Sequence, residues 1–199
     1  PGVERYVVNG GGITGIQIFP DDEIEIVNNE GNQICEISVF NKDGKSEAGI
    51  LNLKENKDTS ELKKILSSKD ENSKIAAYQL KKRNLEIAKA KASIVFDKDT
   101  NWGEKVKLKS KDKCYCIFGA PGSEMLVSEQ NPPTDLTIFV KRAKITKDKE
   151  HKVIPDPMFD PLNETNIDRS TAISFQVKEG DYIQVISPTG RQCSDFVAF

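Results

Sequence analysis

Residues 180–199 read GDYIQVISPTGRQCSDFVAF, and residues 21–40 read DDEIEIVNNEGNQICEISVF. The two stretches follow one pattern at an offset of 159 positions, and the ungapped correspondence extends to Ile13–Phe40 against Ala172–Phe199. Gln17 aligns with Gln176, Asp22 with Asp181, Ile24 with Ile183, Gly31 with Gly190, Gln33 with Gln192 and Phe40 with Phe199. Six identities in twenty-eight positions are few. The matched turns and the matched apolar phase (Ile18 with Val177, Ile26 with Val185) carry the correspondence, along with the acid pair Glu36 and Asp195. A period this long, present once and a fraction, is domain duplication rather than a solenoid.

Each copy predicts three short strands. Ile16 and Ile18, like Phe175 and Val177, alternate with polar residues, the pattern of a half-buried strand. Asp21-Asp22 and Gly180-Asp181 supply turn chemistry. Ile24 and Ile26, like Ile183 and Val185, alternate again. Gly31 and Gly190 then stand where a tight turn needs a positive φ. Each copy is therefore expected to be a three-stranded meander, ending at Phe40 and Phe199.

The remaining chain sets a mainly β (α+β) expectation: an antiparallel β-sandwich or partly closed barrel with a helical insertion at about 60–92. Glu61–Leu66 reads as a short helix, and Ser73 as the cap of a longer one running to about Ala92, with Ala76, Leu80, Ile87 and Ala88 as its apolar stripe. Between Lys74 and Lys91 six basic residues face Glu86 alone. This reads as a solvated helix face in a Lys-rich chain, with a docking face for an anionic partner as the sharper alternative.

In Glu104–Cys116, residues Lys105, Lys107, Lys109, Lys111 and Lys113 recur at every second position, so one strand is expected to carry all five on one face. Lysines that guard an edge strand explain this most simply. A binding site for a polyanionic tail is the alternative. Asp135–Arg142 reads as a further strand. Residues 143–170 are polar, with Pro155, Pro157 and Pro161, and read as a linker between a first unit at 1–142 and the start of a second at 171–199. The second copy stops inside or at the end of a strand. The reading favoured is that of the front part of a longer protein.

Composition excludes several classes. The net charge is −2, which gives no basic field for nucleic acid, and only five of the 29 basic residues are Arg. No apolar run long enough for a membrane helix occurs, so a cytoplasmic setting is expected. Four Cys in 199 residues are not a disulfide scaffold, and a single His excludes zinc sites that need two; buried thiols are expected, and no metal.

The segments CIFGAPGSEMLV (116–127) and NPPTDLTIFVKR (131–142), followed by GDYIQVISPTGRQCSDFVAF, resemble the urea carboxylase-associated family. The likeness is closest to members joined to a glycine-cleavage T-protein-like, folate-dependent aminomethyltransferase. Gly180, Gly190, Gln192, Asp195 and Phe196 are the positions that match the family motif. The resemblance implies a one-carbon-transfer parent that uses tetrahydrofolate. The folate pocket, the acidic catalytic residue and the Cys/His stretch of that family match nothing in these 199 residues. It therefore implies a non-catalytic N-terminal region, partnered by a downstream domain of the same polypeptide and serving a small amine substrate, with no cofactor of its own. The alternative is a stand-alone small-molecule-binding or enzymatic β domain of the same family.

Two carboxylates merit attention. Asp195 shares its strand face with Cys193, Val197 and Phe199, and Glu36 shares its face with Ile34 and Phe40. An acid on such a face is paired, hydrogen-bonded or shifted towards neutral. Gln192, Asp195 and Arg191, with Gln33 and Glu36 as the first-copy equivalents, are the candidate ligand-binding residues. The competing role is a buried hydrogen-bond network that pins the turn, which recurrence in both copies favours. No catalytic residue is assigned. Ser123 lacks a nucleophile-elbow pattern, His151 sits in a charged loop, and Trp102 and Phe118 read as core.

Overall fold

Eight strands build two four-stranded antiparallel sheets in the computed structural model, which describes residues 3–122, 132–143, 159–187 and 193–199. The strands are β1 (Val3–Val8), β2 (Ile13–Ile18), β3 (Glu23–Asn28), β4 (Cys35–Asn41), β5 (Ser93–Phe96), β6 (Lys105–Lys109), β7 (Cys114–Gly119) and β8 (Leu136–Lys141). One sheet runs β1-β8-β3-β6 and the other β2-β7-β4-β5. The expected sandwich is present. Its core is the set of residues that alternate inward: Ile16 and Ile18, Ile24 and Ile26, Ile37 and Val39, Cys116 and Phe118, Ile138 and Val140.

Two helices, α1 (Ser60–Leu66) and α2 (Glu71–Lys82), cover the other face of the β2-β7-β4-β5 sheet. Leu62, Ile65, Ala76 and Leu80 pack there against Ile13, Phe40, Tyr115 and Ile117. The central strands β4 and β7 are thus sandwiched between a sheet and a helical layer, which is why both are buried along nearly their whole length. Gly119 makes this close approach possible: a Cβ there would lie 2.4 Å from Leu62 Cδ2.

The strands expected from Ile13–Phe40 all form, but they are not a meander. β2 pairs with β7, β3 with β6 and β8, and β4 with β5 and β7; none pairs with another of the three. The chain crosses from one sheet to the other at each connection. The β2–β3 turn shows why. Phe19 N–H donates to Asp22 Oδ2 at 3.0 Å, and Asp22 N–H returns to Phe19 O at 3.2 Å. The turn is then tied to the far end of β8, where Asp22 accepts from Arg142 Nη1 (2.6 Å) and Ala143 N–H (3.0 Å). Arg142 also reaches Gln17 O and both oxygens of Glu4.

Glu104–Cys116 is likewise two strands rather than one. Ser110 N–H bonds Asp22 O and Lys111 N–H bonds Ile50 O, so the chain leaves β6 there and enters the opposite sheet as β7. Lys105, Lys107 and Lys109 line an exposed row on β6, an edge strand; Lys111 and Lys113 lie in the turn.

α2 starts and stops earlier than expected. Asp70 is its cap, accepting from Ser73 N–H at 3.0 Å. It ends in a Schellman motif: Asn84 takes φ 53°, Asn84 N–H bonds Lys81 O and Leu85 N–H bonds Leu80 O at 2.9 Å. Ile87–Lys89 is a separate 3-10 turn.

The chain divides into two compact units, Pro1–Lys147 and Asp148–Phe199. The described part of the predicted linker, 159–170, carries no helix or strand; the rest of it lies outside the described residues. In the second unit the described residues 172–187 and 193–199 form no strand, where a second meander was expected. One element of the copy is nevertheless formed. Lys178 N–H donates to Asp181 Oδ2 at 2.8 Å, Asp181 N–H returns to Lys178 O at 3.0 Å, and Gly180 takes φ 90°, where Asp21 takes 66° in the first unit. This is the Phe19–Asp22 turn again. Among the described residues no helix is long and apolar enough to cross a membrane.

Candidate functional site

Glu36 is the functional candidate that the fold buries most completely. It lies on the face of β4 opposite the sandwich core, with Ser38 and Phe40, between Gly119 of β7 and Ile94 of β5. The register slips between Cys35 and Glu36, a bulge at the start of the β4–β5 pairing. Leu62 of α1 lies against Gly119, the β7 neighbour of Glu36.

Lys57 is its partner, reaching Glu36 Oε1 with Nζ. The backbone holds that lysine in place: Asn56 N–H and Lys57 N–H both bond Ala92 O, and Ala92 N–H bonds Lys57 O. Burial, the largest influence, pushes the Glu36 carboxyl above the usual carboxylate range. The hydrogen bond and charge of Lys57 pull it down without cancelling that rise, and Glu61 and Asp58 add to the rise. Glu36 Oε2 and the hydroxyl of Ser93, on the neighbouring strand, are buried with no hydrogen-bond partner. A cleft of about 330 Å³ lies alongside, lined by Glu55, Asn56, Lys57, Asp58 and Lys91.

This arrangement is a charge pair with the acid fully buried and only its cation reaching solvent. Such a pair can anchor the 56–58 segment to β4. Among the described residues no group of three or more His, Cys, Asp or Glu stands together as a metal would require. This cleft and another, lined by residues 9–12 and 70–72, are walled by charged, amide and glycine residues.

Gln33 is a structural pin. Its Nε2 donates to Ile34 O and Pro121 O at 2.8 and 2.9 Å, and its Oε1 accepts from Thr134 N–H at 2.7 Å. Two of these three bonds tie the β3–β4 turn to the segments after β7 and before β8. Gln33 and Glu36 are neighbours in sequence but belong to different networks. In the second unit Asp195 is exposed, while Gln192 and Arg191 lie outside the described residues.

The lysine row is largely answered by acids of the same sheet. Lys105 and Lys107 flank Glu25 at 3.5 and 3.4 Å, and Lys109 meets Asp21 at 3.1 Å. Cys35, Cys114 and Cys116 are buried thiols, with Cys114 and Cys116 Sγ 3.7 Å apart; Cys193 is exposed. Trp102, expected in the core, is 81% exposed, whereas Phe118 is buried. Ser123 and His151 lie outside the described residues.

Two side chains that hold the fold together differ in how much signal they leave in the sequence. Lys57 sits in an unbroken polar run, Glu55–Asp58, and only the fold brings it to Glu36. Asp22 does carry a signal, since it recurs as Asp181, but its partner Arg142 is 120 residues away.

The fold and site thus define a two-sheet β-sandwich with a helical cover and a buried acid–lysine pair. No known family profile matches the chain. It is 35% identical along all 199 residues to the trimethylamine-oxide aldolase of Ruegeria pomeroyi (strain ATCC 700808 / DSM 15171 / DSS-3). The chain spans a quarter of that enzyme's length, so it is homologous to one region of a larger enzyme.

Proposed function

We propose that this polypeptide is the non-catalytic, N-terminal β region of a larger one-carbon enzyme that acts on a methylated amine. The observation that carries the reading is the similarity, over every residue of the chain, to a quarter of a trimethylamine-oxide aldolase. The substrate is an amine oxide of that kind. Cleavage balances without an external oxidant: (CH3)3NO yields (CH3)2NH and CH2O, the N–O bond breaking as one methyl carbon is oxidised to the aldehyde level. Tetrahydrofolate, held elsewhere in the parent, accepts the one-carbon unit. The residues of this chain contribute structure. Among their charged groups, Glu36 pairs with Lys57, Arg142 with Glu4 and Asp22, and Lys105, Lys107 and Lys109 with Glu25 and Asp21.

The test is to give the parent polypeptide trimethylamine N-oxide with and without tetrahydrofolate. Free formaldehyde is expected without folate, and methylenetetrahydrofolate in its place with folate. Failure of the parent to release dimethylamine from the N-oxide rules the reading out.

A further inference from the structure

The second unit carries the apolar pattern of the first but not its burial. Ile16, Ile26 and Ile37 are 2%, 0% and 0% exposed, while their counterparts Phe175, Val185 and Phe196 are 57%, 61% and 62% exposed. The turn between the first two strands is already closed by Lys178 and Asp181, with the hydrogen bonds of Phe19 and Asp22. The topology of the first unit explains how a turn can be in place while its strands are not. β2, β3 and β4 never pair with one another; every strand they pair with lies in 93–141. A copy of those three strands has no ladder to join until a copy of β5–β8 is present.

We propose that residues 172–199 are the first three strands of a second sandwich of the same two-sheet topology. A later segment of the same polypeptide, supplying the counterparts of β5 to β8, completes it. In this arrangement Ala172–Val177 pairs with the counterpart of β7. Tyr182–Ser187 lies between the counterparts of β6 and β8, and Ser194–Phe199 pairs with those of β5 and β7. Asp181 receives a basic residue from the end of the β8 counterpart, as Asp22 receives Arg142. The inference rests on the reading above only in that the chain belongs to a larger polypeptide. The matching enzyme, four times the length of this chain, has ample sequence for the missing strands.

Hydrogen–deuterium exchange on the whole parent enzyme tests this, with residues 14–27 and 36–40 as internal reference. Amides of 173–186 and 195–199 are expected to exchange within about tenfold of their first-unit counterparts, whereas frayed chain exchanges orders of magnitude faster. Lysine cross-linking of a mixture of isotopically light and heavy enzyme identifies the occupant: Lys178 is expected to link to sequence beyond Phe199 within one chain. Exchange at the rate of unstructured chain overturns the proposal. So do links joining light to heavy chains, which would assign a second copy as the occupant. Amine-oxide cleavage scored on the same preparation separates the two conclusions: protected strands without cleavage leave the second sandwich intact and remove only the functional reading.

Discussion

Asp181 closes its turn by accepting the Lys178 N–H, as Asp22 accepts that of Phe19, but Asp22 also holds Arg142 at 2.6 Å in a nearly sealed setting. One residue type at equivalent positions therefore has unequal weight. Asp22→Asn leaves Arg142 with Glu4 as its remaining counter-ion and is expected to cost about 2 kcal/mol, the scale of a hydrogen bond to a charged group. Asp181→Asn, at an exposed turn, is expected to change the stability of this chain by less than about 0.5 kcal/mol. Urea denaturation of the two variants checks the contrast.

The Glu36 carboxyl binds its proton more tightly in the folded chain than in the unfolded one, because burial raises it above its ordinary value of 4.5. Between those two values the folded state holds more protons, so stability falls as pH rises through that window. The contribution is fully present below about pH 4.5 and is lost above the raised value. Glu36→Gln removes this slope and is expected to raise stability at neutral pH relative to acid. Lys57→Met takes away the cation that offsets burial and steepens the slope. Thermal melts across pH 4 to 8 for the three proteins read it directly.

Asn84 ends α2 in the left-handed conformation. Asn84→Gly is expected to be neutral or mildly stabilising, because glycine adopts that φ without a steric cost. Asn84→Val is expected to cost about 1–2 kcal/mol, since a β-branched residue strains the Schellman turn. The test is the difference in urea midpoint between the two.

Lys105, Lys107 and Lys109 stand on the exposed edge strand β6. Replacing all three with valine leaves an unguarded apolar edge and is expected to produce concentration-dependent association without loss of the sandwich. Light scattering together with far-ultraviolet circular dichroism distinguishes association from unfolding.

Strand positions are legible in this sequence because alternation with a period of two is a local property: Ile16–Ile18, Ile24–Ile26 and Leu136–Val140 all read correctly. Pairing is not legible in the same way. Nothing within Ile13–Phe40 shows that its strands alternate between sheets, because their partners lie at 93–141. The break at Ser110 is hidden because Lys111 and Lys113 continue the strand's phase through a turn. The end of α2 was readable in the Arg83-Asn84-Leu85 run, but the absence of Gly or Pro up to Ala92 suggests a longer helix. At the site, the burial of Glu36 follows from the phase it shares with Phe40. Lys57 does not, because a lysine in a polar run carries no mark of its partner.

In the proposed role this region supports a larger enzyme without performing its chemistry, and Glu36 is the residue whose replacement tests that role most directly. The parent enzyme and its Glu36→Gln variant should be compared for initial rates of trimethylamine N-oxide cleavage, at a temperature where both are shown to be folded. With the charge pair serving only to anchor backbone, kcat and KM of the two proteins are expected within about twofold of each other. A folded variant whose kcat falls 100-fold or more would contradict it and place the chemistry in this chain.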